Sequence, residues 1–329
     1  MDKQSDNPFE DSITIEISKK DSHDFKRLDQ YLVKKICGHS RTFIKKLFSE
    51  NLITAPGAKD KLELKKMPPA GTVIEIEIPK PLPLAATPEN IPLEIIHEDQ
   101  HLVIINKPAG LVTHPGPGNW TGTLVNAVLH HCPDLGRIGD SVRPGIVHRL
   151  DKGTSGIMVV AKNMKCHEGL VSLFSKHDIE RRYETLVLTK EIPPAGTIES
   201  TIGRHRINRL KMAPNIRGGK KSITHYRILE KYRDLTHLEL KLETGRTHQI
   251  RVHLASLLKT PVLMDPLYAN PNNQLKKLGE EYLKLLKDWP HPLLHARILG
   301  FIHPITGRKL YFEIDPPDIF MKVLELAKK

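Results

Sequence analysis

The chain has 329 residues, 39% hydrophobic and 27% charged, with a formal net charge of +12. That length holds two domains, and no apolar run of about 18 residues exists to form a transmembrane helix. Three scattered cysteines, Cys37, Cys132 and Cys166, give neither a disulfide framework nor a zinc spacing, and a cytoplasmic chain with no membrane contact is expected. The start, Met1 to Asn7, is polar and lacks the apolar core of a signal peptide. The positive charge favours a polyanionic partner, and nucleic acid outranks a membrane because no basic amphipathic anchor is present.

Residues 1–14 are polar and partly acidic and are expected to form a disordered tail. A small α/β domain is predicted over 15–80. In it Leu28, Tyr31, Leu32 and Ile36 recur at helical spacing. Ser40 offers an N-cap to a second helix. Phe43, Ile44, Leu47 and Phe48 form its apolar stripe, and Arg41, Lys45 and Lys46 its other face. A short strand at Leu52-Ile53-Thr54 and a turn at Pro56-Gly57 follow. Ile74, Ile76 and Ile78 then alternate with Glu75 and Glu77 as a half-buried strand. A basic helix face is often only a solvated face. The run from Arg27-Leu28-Asp29 through Ser40-Arg41 to Leu52-Ile53, however, resembles the RNA-binding module first seen in small-subunit ribosomal protein S-four. That resemblance implies phosphate contacts from Arg41, Lys45 and Lys46. The prolines between Pro79 and Pro92 mark residues 81–92 as a semi-rigid linker.

A large domain is predicted over 93–329. Leu102-Val103-Ile104-Ile105 reads as a buried strand entering a turn at Asn106 to Leu111, with His114-Pro115-Gly116 beyond it. Thr123 to His130 reads as a short helix. At the centre lies Gly145 to Lys162. Ile146-Val147 leads in and Ile157 to Ala161 leads out, both read as strands. Between them Asp151 precedes the polar turn Lys152-Gly153-Thr154-Ser155-Gly156, with His148 and Arg149 alongside. A carboxylate mounted between rigid elements suits a nucleophile or an acid–base group. Read alone, it equally suits a hairpin whose Asp caps its own turn.

Further on, Leu170, Leu173 and Phe174 mark a helix, and Arg181 to Leu188 alternates as a strand with Tyr183 on the face of Thr185 and Val187. Thr201 to Lys221 is a basic insertion carrying Arg204, Arg206, Arg209 and Lys211. It is expected to be a flexible loop or hairpin tip that packs nothing and contacts phosphates. Leu238, Leu240 and Leu242 alternate in a strand ending at Gly245. Arg246 to Leu254 then opens a helix with Thr247 as its cap. Asn270 to Pro290 reads as a Lys-rich surface helix and loop, and Phe320 to Ala327 as a terminal helix.

Gly145-Ile-Val-His-Arg-Leu-Asp151-Lys-x-Thr-Ser-Gly156 resembles the catalytic motif of the RluA-type pseudouridine synthases, with Gly153 where that family usually has Asp. Asn106-Lys-Pro-x-Gly-Leu111, Arg181-x-Tyr183 and Gly245-Arg-Thr-His-Gln-Ile-Arg-Val-His253 resemble its other segments, in its order; Asp265-Pro-Leu-Tyr268 and Leu294-His-Ala296 are lesser ones. The closest match is to the branch acting on large-subunit ribosomal RNA. The resemblance implies an α+β pseudouridine synthase fold with a large mixed, mainly antiparallel sheet. It implies Asp151 as the catalytic carboxylate, Arg251 as its partner and Tyr183 lining the site. It also implies RNA contacts at Lys107, His114, Arg149, Arg246 and His248. No metal or cofactor is expected, since one motif-bound carboxylate, an arginine and a tyrosine form neither a ligand cluster nor a dinucleotide loop. A lone aspartate cannot run the paired-carboxylate hydrolysis of glycosidases. It can hold a sugar carbon while uracil leaves, turns and re-attaches through carbon. The expected activity is therefore uridine isomerisation in RNA by a monomer. Transfer RNA is the alternative substrate, and a catalytically silent RNA-binding protein the alternative function.

Overall fold

The computed structural model describes residues 9–36, 41–58, 62–79, 86–116, 118–140 and 143–329. Its contacts divide the chain into two units, one of residues 1–85 with 136–144, the other of 86–135 with 145–329.

In the first unit, strand β1 (Phe9–Glu16) precedes helices α1 (Lys19–Asp24), α2 (Leu28–Lys35) and α3 (Arg41–Ser49), then strands β2 (Ile53–Thr54) and β3 (Val73–Pro79). Of the expected disordered tail, residues 1–8 lie outside the described residues, and 9–14 are corrected to strand. β1 runs antiparallel to β3 with Ile13 opposite Ile76 and Ile15 opposite Ile74. The Ile-x-Ile alternation was masked by the acidic residues around it. Leu28, Tyr31, Leu32, Ile44, Leu47, Ile74 and Ile76 form the core, as the helical and alternating patterns predict. The proposed cap Ser40 lies outside the described residues. Arg41 also has a structural task that its sequence reading did not assign: with Arg27 it clamps the fully buried Asp29, at 2.8 and 3.0 Å, while its own side chain stays exposed. Hydrogen bonds from Arg27, then Arg41, overcome burial and hold the Asp29 carboxyl at about 2. Lys45 and Lys46 stay exposed.

The second unit starts earlier than 93. Of the expected linker, residues 80–85 lie outside the described residues, but Thr87 and Glu89 are fastened. Asn126 Nδ2 donates to Thr87 O at 2.7 Å, and Glu89 N donates to Asn126 O at 3.0 Å. Strands β4 (Glu94–Glu98) and β5 (Leu102–Lys107) lead to helix α4 (Leu124–His131), which is closed by a reciprocal Thr123–Asn126 capping box. The two-residue strands β6 (Gly139–Asp140) and β7 (Arg143–Pro144) form a separate hairpin in the first unit. Then come β8 (Ser155–Ala161), helix α5 (Met164–Lys176), β9 (Glu180–Leu188), β10 (Ala195–Arg204), β11 (Met212–Pro214), β12 (Lys220–Lys231) and β13 (Leu235–Leu242). A short helix α6 (Gln249–Val252) follows, then helices α7 (Pro271–Leu278) and α8 (Glu280–Leu286), strands β14 (Leu294–Ile302) and β15 (Lys309–Glu313), and helix α9 (Asp318–Ala327).

Ten of these strands make one mixed, mainly antiparallel sheet, ordered β11-β10-β12-β13-β9-β14-β8-β5-β4, with β15 beside the far end of β14. β8 is buried along its whole length, which explains its unbroken Ile-Met-Val-Val-Ala run. Its only parallel partner is β14, through Ser155–His295 and Gly156–Ala296. Gly156 has φ +118°, and a Cβ there would lie 2.3 Å from Ala296 O. Gly156→Ala is therefore expected to cost about 3 kcal/mol or more, read as a lowered denaturant midpoint at unchanged slope.

Three further elements differ from their sequence reading. Ile146 makes a single bridge to Val160 in place of a strand, so Asp151 follows irregular backbone and does not close a hairpin. The Asn270–Pro290 stretch is more than surface, since Leu275, Leu278, Tyr282 and Leu286 pack with Phe320 and Val323 of α9. The basic insertion is a built arm. Ile202 pairs with both Pro214 and Lys220 across β10, β11 and β12, and Gly203 sits against Ile216. Its turns are the tip, 205–211, where Ile207 is 89% and Leu210 76% exposed, and residues 215–219 between β11 and β12.

Candidate active site

Asp151 stands at the entrance to β8, and the backbone around it is pinned at each step. Thr113 Oγ1 donates to Leu150 O at 2.7 Å, Thr154 N to Asp151 O at 3.0 Å, and Gly110 N to Lys152 O at 2.8 Å. Lys107 completes the cradle. It was expected at the rim as an RNA contact, but it is wholly buried. Its ammonium donates to Pro108 O (2.8 Å), Leu111 O (2.9 Å) and Lys152 O (3.4 Å), so it fastens one active-site turn to the other. Burial, against the Asp151 charge, pulls it down to about 7. Gly153 has a packing reason: a Cβ there would meet Pro292 at 2.7 Å.

Arg251 reaches Asp151 from α6. Its Nη1 lies 3.1 Å from Asp151 Oδ2. Its other edge is held by Asp265, with Nε to Oδ2 at 2.7 Å and Nη2 to Oδ1 at 2.9 Å. Asp265 is fully buried and also accepts the Leu267 and Tyr268 N–H groups. This two-toothed pairing fixes the guanidinium plane. Burial opposes the charge on Arg251, but the Asp265 hydrogen bonds, with the Asp265 and Asp151 charges, hold it above the ordinary range. Asp265 is thus committed, and Asp151, 15% exposed at its side chain, is the carboxylate that faces outward.

Tyr183 comes from β9, where it lies opposite Leu240 on one side and Ala296 on the other. Ala296 in turn pairs with Gly156. One sheet register therefore carries the tyrosine toward the strand that Asp151 enters. Tyr183 is buried. Burial raises its hydroxyl pKa; Arg181 opposes this and the Asp151 charge adds to it. Arg181 is itself buried, donating to Glu243 O at 2.9 Å and lying over the Phe174 ring at 5.5 Å. His148 stacks on that same ring at 4.6 Å and accepts the Val159 N–H at 3.1 Å, so it is a structural neutral imidazole. Burial pulls it down to about 3, with Arg181 adding.

His248 Nε2 lies 3.9 Å from Asp151 Oδ2, inside the site and not on its rim. The helix that follows begins differently from its prediction. His248, at φ 57°, occupies the cap position in place of Thr247 and makes no side-chain cap bond. Gln249 shapes the turn instead. Its Oε1 accepts from Thr244 Oγ1 and Arg246 N, and its Nε2 donates to Ile223 O and Thr224 Oγ1. Arg246 donates to Lys221 O at 3.1 Å and is half-buried. Arg149 is exposed, with Nη1 3.0 Å from His114 Nε2. Of the arm cations, Arg206 and Arg209 are exposed; Arg204 turns back to Arg209 O at 2.8 Å, and Lys211 lies over the Tyr268 ring at 5.8 Å. Sequence reasoning missed Asp265, Gln249 and Tyr268 as parts of the site. All three sat within quoted motif segments without an assigned role.

A single outward carboxylate, locked to one arginine beside a buried tyrosine at the centre of a long mixed sheet, defines the site. The family model described as RNA pseudouridylate synthase matches residues 101–256, which include all three groups. The chain belongs to the RluA-type pseudouridine synthase family and is an RNA pseudouridine synthase, an isomerase. It is 42% identical over 299 residues to an uncharacterized RNA pseudouridine synthase of Aquifex aeolicus, covering 90% of this chain and 92% of that one. It is 39% identical over 303 residues to the ribosomal large subunit pseudouridine synthase D of Pseudomonas aeruginosa, covering 92% of each. Among solved structures it resembles human RNA pseudouridylate synthase domain containing 4, with a TM-score of 0.56 and 28% identity over 71% of this chain and 93% of that one.

Proposed function

We propose that this chain isomerises specific uridines of large-subunit ribosomal RNA, with Asp151 as nucleophile, Arg251 as its fixed cation and Tyr183 as the group that handles the C5 proton. The Arg251–Asp151 contact carries the mechanistic reading. The names of relatives that match over nine-tenths of the chain support the RNA class. Arg251 Nη1 donates to the Asp151 carboxylate at 3.1 Å and fixes its direction of attack, in a site that must exclude water during the reaction. The carboxylate attacks C1′ of the ribose as the bond to uracil N1 breaks, and uracil leaves as an anion. The base turns, C5 attacks C1′, and the carboxylate is released. The C5 proton then leaves and N1 gains one, restoring a neutral uracil. The target must first be flipped from its stack. Arg149 at the mouth and the exposed arm cations are placed to hold the surrounding RNA. Among the described residues no helix is long and apolar enough to cross a membrane, and the reading is of a cytoplasmic monomer.

The test is incubation with transcripts of large-subunit ribosomal RNA and of transfer RNA, followed by chemical mapping of pseudouridine. Modification of transfer RNA alone would refute the substrate class. The small domain is read as an RNA grip of its own. Deleting residues 1–85 is expected to leave a folded, weakly active enzyme whose RNA affinity falls less steeply with salt, since phosphate contacts have gone. Parallel filter-binding curves from low to high salt measure this. A truncation with the full salt slope would remove the small domain from RNA binding.

A further inference from the structure

Tyr268 has no part in the reaction as described, yet contacts from four residues converge on its side chain. Its hydroxyl receives the N–H of Met212, the first residue of the arm strand β11, at 2.7 Å. The same hydroxyl lies 2.8 Å from His248 Nδ1 and 3.4 Å from Met212 O. Its ring lies beneath the Arg251 guanidinium at 5.1 Å and the Lys211 ammonium at 5.8 Å. Its own backbone N–H is held by Asp265, the clamp on Arg251. A phenol has one proton to give. Met212 N–H uses the oxygen as an acceptor, so that proton goes to the nearer of the two remaining partners, His248 Nδ1.

We infer that Tyr268 is a positioning residue that ties the basic arm to the catalytic carboxylate by fixing the tautomer of His248. With Nδ1 accepting from the tyrosine, the neutral imidazole carries its proton on Nε2, the nitrogen that faces Asp151. Which ring nitrogen holds the proton is set by the bond the other one makes. At 3.9 Å the Nε2–H does not bond Asp151 Oδ2 directly. It presents a donor beside the attacking oxygen, within reach of a ribose oxygen on the carbon under attack. The opposite tautomer would turn a lone pair toward a carboxylate and repel it. Burial favours the neutral ring, and the charged groups around His248 pull both ways. Burial pulls it below its usual value and Arg251 and Arg149 add to this, while Asp151 and Asp265 oppose. Burial pushes the Tyr268 hydroxyl up to about 12, so it keeps the proton it donates. The arm strand is thereby connected through two hydrogen bonds to His248, whose Nε2 faces the carboxylate at 3.9 Å. This inference rests on Asp151 being the nucleophile.

The test uses the full chain labelled with nitrogen-15 at histidine. The His248 signals are identified by their loss in His248→Gln. In the wild type His248 is expected as the neutral Nε2–H form, which can be read without any substrate. Tyr268→Phe keeps the ring and removes both hydroxyl bonds. It should shift His248 toward a mixture of tautomers. It should also slow single-turnover isomerisation about tenfold, the scale of one lost hydrogen bond, with RNA affinity within about twofold of the wild type. A wild-type His248 found protonated on Nδ1 overturns the inference, whether or not the variant folds. So does a variant in which only the tautomer or only the rate changes, or neither. A wild-type protein without isomerase activity on any RNA would sink the proposed function instead, and the tautomer measurement would still decide the placement of the proton.

Discussion

Asp151→Asn is expected to bind RNA as the wild type does and to isomerise uridine at least about a thousandfold more slowly, the scale of a lost nucleophile. The substitution keeps the shape of the side chain and removes its charge. The cradle will not notice, because it grips main-chain atoms: Leu150 O, Asp151 O and Lys152 O receive the hydrogen bonds. Arg251 stays in place through Asp265, which holds two of its nitrogens. An amide oxygen can still accept from Arg251 Nη1, but it is too poor a nucleophile to open a bond to C1′. Asp265 cannot substitute, since it is buried behind the arginine and its oxygens are occupied. The measurement is single-turnover conversion at saturating enzyme alongside direct RNA binding. Retention of a tenth of the wild-type rate would remove Asp151 from the reaction.

The second large effect separates two chemical steps. Once uracil has re-attached through C5, that carbon still carries its hydrogen. Tyr183 is the buried group on the neighbouring register, and its hydroxyl feels the Asp151 charge. Its raised pKa means that it holds its own proton at neutral pH. It can take the C5 proton only by passing the first one on, and Asp151 is a free carboxylate again when the new carbon–carbon bond has formed. Tyr183→Phe keeps the ring and interrupts that transfer. Turnover is expected to fall at least about a hundredfold, the contribution typical of a general base, with near-normal RNA affinity. RNA carrying tritium at uracil C5 reports the step directly. Release of label at the wild-type rate would leave Tyr183 as a stacking platform alone.

The site was legible in the sequence to the extent that its parts are local. Asp151 with its polar turn, the strand carrying Tyr183 and the turn-helix carrying Arg251 each announce themselves within a few residues. What lay beyond the sequence was commitment of partners across long separations. Nothing near Lys107 says that its ammonium will be spent on carbonyls as far along the chain as Lys152. Nothing near Arg41 says that Asp29 will claim it. In both cases a cation read as an RNA contact has a partner within the protein, a buried carboxylate or a cluster of carbonyls that must be satisfied; Lys107 is buried by it, whereas Arg41 stays exposed. The tail was misjudged for a related reason. Three of the eight residues of strand β1 are acidic, and only its pairing with β3 gives its isoleucines a covered face. His248 was read as an RNA contact at a helix start; its approach to Asp151 depends on a positive φ there, which is invisible in the residue names.

The insertion of β14 between β8 and β9 has a consequence in time. The carboxylate and the tyrosine lie on segments made in the middle of synthesis, yet the strand that joins them, Leu294–Ile302, is among the last to be made. Until it arrives, β8 and β9 have no common neighbour, and Tyr183 has no register relative to Gly156. Such pairing of distant segments is slow and comes after local structure. A growing chain that has passed Arg251 but not reached Leu294 therefore holds Asp151, Tyr183 and Arg251 and lacks the strand that sets β8 and β9 in register.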